Sequence, residues 1–287
     1  MNQHTGLLAE LHQEVTDRLG STLDELCLQR VTVGVFFTGV MLNNGVGGMC
    51  ATPIKSIPEA VCCPSSAKAL PRAGKLQGLP VKQILLDLYG PQDMRRALAI
   101  ATLNALTETL WQRDGAPAGC TLAFGDTFQS VRYSFADEVV LIGAFVPYMR
   151  ALRKAAQSFK VLEKDPSTLK PDEMQYYVPA EQAALVLPQA DVLITTGTTL
   201  TNQTLESLLS MLKPGAEVAV IGPSAPLLVK SFAQRGVTII GGTRVTEPNT
   251  LLDLLAEGAS GYHFFERCVE RVTLIIDRKH LRNSGGD

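Results

Sequence analysis

Residues Ala190 to Leu209 read ADVLITTGTTLTNQTLESLL. An aliphatic run, Val192 to Ile194, gives way to six threonines between Thr195 and Thr204, and then to apolar positions at helical spacing. Strand, polar turn and helix in that order form the unit from which parallel sheets are built. The rhythm recurs on both sides, in EVVLIGAFVPYMRALRKA (138–155), FKVLEKDP (159–166), AEVAVIGPSAPLLVKSFAQRG (216–236), and VTIIGGTRV (237–245) with EPNTLLDLLAEG (247–258). It predicts an α/β protein whose second unit, 134–287, is a Rossmann-like parallel sheet with helices on both faces. RVTLIIDR (271–278) reads as a last strand at a sheet edge, of either direction.

The first unit, 1–133, reads as α+β. MNQHTGLLAELHQEVTDRLG is an amphipathic helix, and RVTVGVFFTGVML (30–42) is a β-branched strand running into NNG, a hairpin turn that places its return strand at VGGMCATP (46–53). From Pro53 to Pro80 the chain reads as surface loop. PVKQILLDLYG and DMRRALAIATLNALTETLWQRDG follow as helices closed by Gly90 and Gly115, and GAPAGCTLAFGDTFQS (115–130) is a turn-rich bridge to the second unit.

Composition narrows the function. Lys plus Arg number 26 against 28 Asp plus Glu, without a basic stripe carrying interleaved aromatics, so nucleic acid is not an expected partner. The most apolar run, VTVGVFFTGVML, falls short of the roughly 18 residues of a membrane span, and the basic n-region and unbroken apolar run of a signal peptide are missing; a cytoplasmic protein is expected. The six cysteines then read as free thiols. Cys62 and Cys63 are candidate soft-metal ligands, although adjacent side chains in extended chain point to opposite faces.

Ligands of open parallel sheets bind beyond the carboxyl ends of the strands, which selects four turns here. The turn after the first strand holds Gly143 and Phe145 but lacks the second glycine of the G-x-G-x-x-G dinucleotide signature. Glu163 ends the second strand about 20 residues later, where a dinucleotide fold places its ribose-binding acid. Thr196, Gly197, Thr198, Thr199, Asn202 and Thr204 offer hydroxyls, an amide and backbone N–H groups; one N-cap needs only one such residue, so the excess points to ligand contact. Gly222, Pro223 and Ser224 form a rigid polar turn that is not a nucleophile elbow. Thr38 and Asn104 of the first unit could close the pocket, Asn104 because an amide on an apolar helix face needs partners, which the backbone of the core could also supply.

Taken together and in this order, FFTGVMLNNGVGG, ATLNAL, IGAFVP, LEKDP, LPQADVLITTGTTLTNQTLESLL, IGPSAP and GVTIIGG resemble the family of putative heavy-metal chelation proteins over most of the chain. The resemblance implies an enolase N-terminal-like domain (1–133) followed by a Rossmann-like domain (134–287), with a site between them for a metal or a metal-chelating small anionic ligand. It carries Gly143, Glu163, Thr196, Gly197, Thr198, Asn202, Thr204, Gly222, Pro223 and Ser224 as pocket residues, with Thr38 and Asn104 from the first domain, and it assigns no catalytic acid or base. The scarcity of histidine and clustered cysteine favours a metal that arrives already complexed. The alternative is an enzyme using an adenine-containing cofactor, a nucleotide or an S-adenosylmethionine-like molecule, with Glu163 on its ribose. A third reading is a non-catalytic sensor or carrier acting through a protein partner. A homodimer is the default assembly.

Overall fold

The computed structural model describes residues 5–56 and 72–277, so Cys62, Cys63 and most of the loop expected from Pro53 to Pro80 lie outside the described residues. The first unit opens with α1 (Leu7–Leu19) and a short α2 (Thr22–Glu25), followed by strands β1 (Leu28–Val33), β2 (Phe37–Leu42) and β3 (Gly47–Ala51). RVTVGVFFTGVML is thus two strands rather than one. Gly34 turns the chain because a Cβ there would lie 2.6 Å from the Leu255 carbonyl oxygen and 2.8 Å from that of Phe37. β1 and β2 then pair antiparallel, Val33 opposite Thr38, and the expected hairpin through Asn43, Asn44 and Gly45 joins β2 to β3.

Helix α3 (Val81–Leu85) and a tighter turn, Leu86–Tyr89, lead into the long α4 (Asp93–Asp114), which ends at Gly115 as its sequence predicts. Alanines, leucines and threonines are buried on nearly every side of α4. A helix apolar all round has to lie inside a protein, not on it. It can do so here because Gly48 of β3 presents no side chain: a Cβ there would overlap the Ala101 carbonyl and stand 2.9 Å from Ala105 Cα. The turn-rich bridge contains one more strand, β4 (Cys120–Phe124), short and half-exposed and therefore without the apolar run that would announce it.

The second unit alternates as its sequence predicts: β5 (Val139–Ile142), α5 (Val146–Lys154), β6 (Phe159–Glu163), β7 (Tyr177–Pro179), α6 (Ala183–Val186), β8 (Val192–Thr196), α7 (Thr198–Thr201), α8 (Leu205–Ser210), β9 (Glu217–Ile221), α9 (Lys230–Ala233), β10 (Ile239–Val245), α10 (Pro248–Ala256), α11 (Gly261–Phe264) and β11 (Val269–Ile276). Strands β7, β6, β5, β8, β9 and β10 lie side by side in that order and are parallel. Counted along the unit this is 3-2-1-4-5-6, the order of dinucleotide-binding sheets, and it places a topological switch between β5 and β8. Successive residues of β5 face opposite layers: Val140 belongs to the buried cluster that also holds the α1 and α4 side chains, whereas Val139 and Leu141 belong to the one that holds Met149 and Leu152 of α5. β11 is not an edge strand but runs antiparallel between β10 and β4.

The sheet is continuous across residue 133. β10 meets β3 at Val245 opposite Gly47, and all the strands make one eleven-stranded sheet. On α4, Glu108 receives two hydrogen bonds of 2.7 Å from Arg244 of β10, whose guanidinium also lies 4.9 Å over the Trp111 ring. Gly48→Ala is expected to force α4 off β3 and to lower the unfolding free energy by about 3 kcal/mol, the upper end for overpacking because backbone is what must move; urea denaturation measures it, and a loss within error would mean that α4 is not held at this distance.

Candidate functional site

At the switch point the carboxyl ends of β5, β6 and β8 diverge, and the structure opens a cleft of about 340 Å³ between them. Its polar wall carries Gly143, Glu163, Lys164, Thr196, Thr198, Thr199, Asn202 and Thr204; its apolar wall is Leu162, Ala183, Ala184, Leu208 and Met211. Every lining residue falls between Ile142 and Met211. This cleft therefore belongs to the second unit alone; openings of about 230 Å³, between α1, the Leu88–Tyr89 turn and α7, and about 570 Å³, between α1 and α9, lie between the units.

Most of the polar groups are bonded to their own turns. The Glu163 carboxylate accepts from the N–H groups of Lys164 (2.8 Å) and Asp165 (3.2 Å) through Oε1, which fixes its rotamer; Oε2 has no protein partner among the described residues. Asn202 Oδ1 accepts from the Thr204 N–H (3.2 Å) and hydroxyl (2.7 Å). Because a backbone N–H can only donate, this assigns the amide orientation, and Nδ2 is left as a donor without a protein partner among the described residues. Thr196 Oγ1 accepts from the Thr198 N–H (3.3 Å) and hydroxyl (3.2 Å). Thr199 is buried and donates to the Thr196 carbonyl at 2.7 Å. Beside the cleft, Asp165 accepts from Ser167 and from Lys55, which hold its carboxyl down at about 2.

The remaining predicted residues are elsewhere. Gly197 and the Gly222-Pro223-Ser224 turn lie against each other behind the cleft: a Cβ on Gly197 would stand 3.2 Å from Ser224 Cβ. Ser224 is buried and its Oγ accepts from the Ala51 N–H at 3.0 Å and from the Cys50 thiol at 3.3 Å. Asn104 donates through Nδ2 to the carbonyls of Met49 (2.8 Å) and Pro223 (2.9 Å), while its Oδ1 is buried and unpartnered. Thr38 shares a 3.0 Å hydrogen bond with Thr52. Phe145 lines no part of the cleft; its ring stacks on Tyr148 at 5.1 Å, and Tyr148 stacks in turn on Phe128. These groups join elements of the protein to one another.

Sequence reasoning missed Ala180, Glu181, Ala183 and Ala184, which follow β7 and close the cleft opposite the threonines. β7 is three residues long and ends at Pro179, too short for a periodic signal. Among the described residues no three His, Cys, Asp or Glu side chains come together as a metal cluster, and no helix is long and apolar enough to cross a membrane. What the cleft supplies is a positioned carboxylate on Glu163, a second carboxylate on Glu181, the Lys164 ammonium, an amide donor, hydroxyls and an apolar floor, a set suited to an organic molecule.

Two family models match the chain, both described as "Putative heavy-metal chelation", over residues 126–274 and 16–107. An uncharacterized protein of Methanocaldococcus jannaschii is 24% identical over 191 residues, 64% of this chain and 67% of its own. The structure of a protein of unknown function from Pyrococcus horikoshii superposes with a TM-score of 0.72 at 17% identity, covering 94% of this chain and all of that one. A second, from Desulfitobacterium hafniense, gives 0.66 at 16% identity over 92% and 98%. Both belong to the family of the first model, and at this identity the likeness concerns the fold.

The seam carries a titration prediction. Burial pushes the Cys50 thiol up to about 11 from the ordinary 9.0, the hydroxyls of Ser224 and Thr201 opposing only in part. Folding therefore favours the protonated thiol, and the contribution is complete below pH 9 and is lost as pH rises toward about 11. The stability advantage of the parent over Cys50→Ala should shrink across that window in urea titrations, and Cys50 should resist iodoacetamide at pH 8 until the protein unfolds; ready native alkylation would mean that the seam is open.

Proposed function

The chain belongs to the putative heavy-metal chelation family, and from that premise we propose that it binds a small metal-chelating organic ligand in the switch-point cleft. The observation that carries the reading is a pair of cleft-lining side chains, each bonded to its own turn at one end, which leaves Glu163 Oε2 and Asn202 Nδ2 without a protein partner among the described residues. A carboxylate fixed in this way accepts from hydroxyls of the ligand, and the amide donates to an oxygen bearing partial negative charge. Leu162, Leu208 and Met211 receive a flat or apolar portion. A bare heavy-metal ion would need several soft or anionic donors at once, whereas a chelated one brings its own and presents organic surface to the protein.

A second reading is favoured by one observation. Glu163 ends the second strand of a 3-2-1-4-5-6 sheet, at the position that receives a ribose diol in dinucleotide folds, so an adenosine-containing cofactor suits the same carboxylate. The two readings share the chemistry of adjacent ligand hydroxyls on Glu163 and differ in what carries them.

Two probes separate them in calorimetric titrations of the parent: the iron(III) complex of 2,3-dihydroxybenzoate, and adenosine. Binding of the chelate alone supports the proposal; binding of adenosine alone replaces it with the cofactor reading. Glu163→Gln and Asn202→Asp keep the acceptor that caps each turn and remove the charge or the donor offered to the ligand. Each is expected to weaken chelate binding by roughly tenfold, about 1.4 kcal/mol, with the melting temperature nearly unchanged. Should either variant instead lower the melting temperature and leave affinity intact, these side chains serve the turns alone.

A further inference from the structure

Arg96 projects from α4 and is 3% exposed, yet the ligand cleft lies outside its own unit. Its guanidinium donates to Asp93 Oδ1 at 2.8 Å, to the Leu88 carbonyl at 3.3 Å, and to the carbonyls of Gly90 and Thr201. Leu88 and Gly90 end the short helical segment before α4, and Thr201 is the last residue of α7. One planar fork thus closes the carboxyl ends of two helical turns from different units, where unpaired carbonyls would otherwise be buried. Lysine could not reproduce this, because its three donors radiate from a single nitrogen.

The residue after Thr201 is Asn202, which lines the cleft. The elbow then continues through Gln203, a non-glycine residue at φ 58°, a conformation that costs free energy and has to be imposed by its surroundings. Gln203 Nε2 reaches the same Leu88 carbonyl at 3.4 Å, and the Thr204 N–H returns to the Thr199 carbonyl at 2.9 Å. Leu88 and Arg96 therefore hold both ends of the Asn202-Gln203 step from outside the second unit. The turn's own hydrogen bonds fix the amide relative to the turn, but α7 is a single turn of four residues, too short to be stable alone, so the turn as a whole needs anchors outside it.

We propose that Arg96 is the positioning residue of the cleft: through the Thr201 carbonyl it sets the direction of the Asn202 amide and of the threonine hydroxyls, so that the first unit governs ligand affinity without touching the ligand. The proposal rests on the reading of the cleft as a ligand site. Because coupling between two parts of a protein is reciprocal, a ligand that orders the turn also tightens the junction between the units.

Arg96→Lys tests this beside Arg244→Lys, which loosens the half-buried guanidinium that β10 extends to Glu108 of α4 without contacting the turn. Amide hydrogen exchange needs no ligand. For Arg96→Lys it should quicken about tenfold or more at Asn202 and Thr204, with a loss of affinity for the iron(III) 2,3-dihydroxybenzoate probe of about tenfold, as expected for one charge-assisted hydrogen bond. Arg244→Lys should lower the melting temperature and leave both unchanged. If Arg96→Lys fails to melt cooperatively, Arg96→Gln, which leaves no buried charge, takes its place. Equal exchange at residues 198–204 in the Arg96 and Arg244 variants overturns the proposal. If the parent binds neither probe, the proposed function falls, and exchange at the turn still decides whether Arg96 positions it.

Discussion

A helix with no solvent face has to find partners inside the protein for every polar side chain it carries. That constraint governs α4. Asn104, Glu108 and Arg96 are its main polar groups, and each is committed across the junction between the units: Asn104 to Pro223, Glu108 to Arg244, Arg96 to Thr201. An amide or a charge buried without such bonds would cost several kcal/mol, so the partners keep α4 at one depth and one rotation. Gly48 sets the depth, and the polar triad sets the rotation. The parallel sheet is thereby built against a helix that precedes it in the chain, and its cleft opens at the carboxyl ends of β5, β6 and β8.

The turn beyond β8 shows how a polar motif divides its labour. Thr199 and Gly197 serve the chain, one by bonding the Thr196 carbonyl and the other by leaving room for Ser224. Glu163 and Asn202 serve both purposes, because a carboxylate or a primary amide has two ends and local capping uses only one. Capping and ligand contact are then not rival explanations of the same residue. The cap supplies the rigidity that makes the second atom useful to a ligand, since a side chain already held in place loses little entropy on binding.

The sheet of the second unit was legible because strand and helix alternate with periods that differ, and the strand-end rule then located Glu163, Thr196, Thr198 and Asn202 beside one cleft. The same rule could not tell Ser224 and Gly222 from cleft residues. Both sit at strand ends, and only the packing of β3 and α4 against them turns those positions inward. Gly34 looked like one more small residue inside a strand, because the Leu255 carbonyl that excludes its side chain is more than two hundred residues away in sequence. Arg96 was invisible for a related reason: arginine is ordinarily exposed, and nothing local shows that a helix from the other unit will end at its fork. The short β4 and β7 carry no periodic signal at all.

Among the described residues β4 pairs only with β11, whose last residue, Ile276, lies opposite Cys120. On a ribosome the first of these strands emerges well over a hundred residues before the second. Throughout that interval Leu122 and Phe124 stand at the margin of an incomplete molecule with their ladder unformed. Pairing of β4 is thus a late event that depends on the distal part of the polypeptide, and long-range pairings of this kind fold slowly and expose nascent chains to self-association. A chain cut short before β11 would leave β4 without the strand that pairs with it.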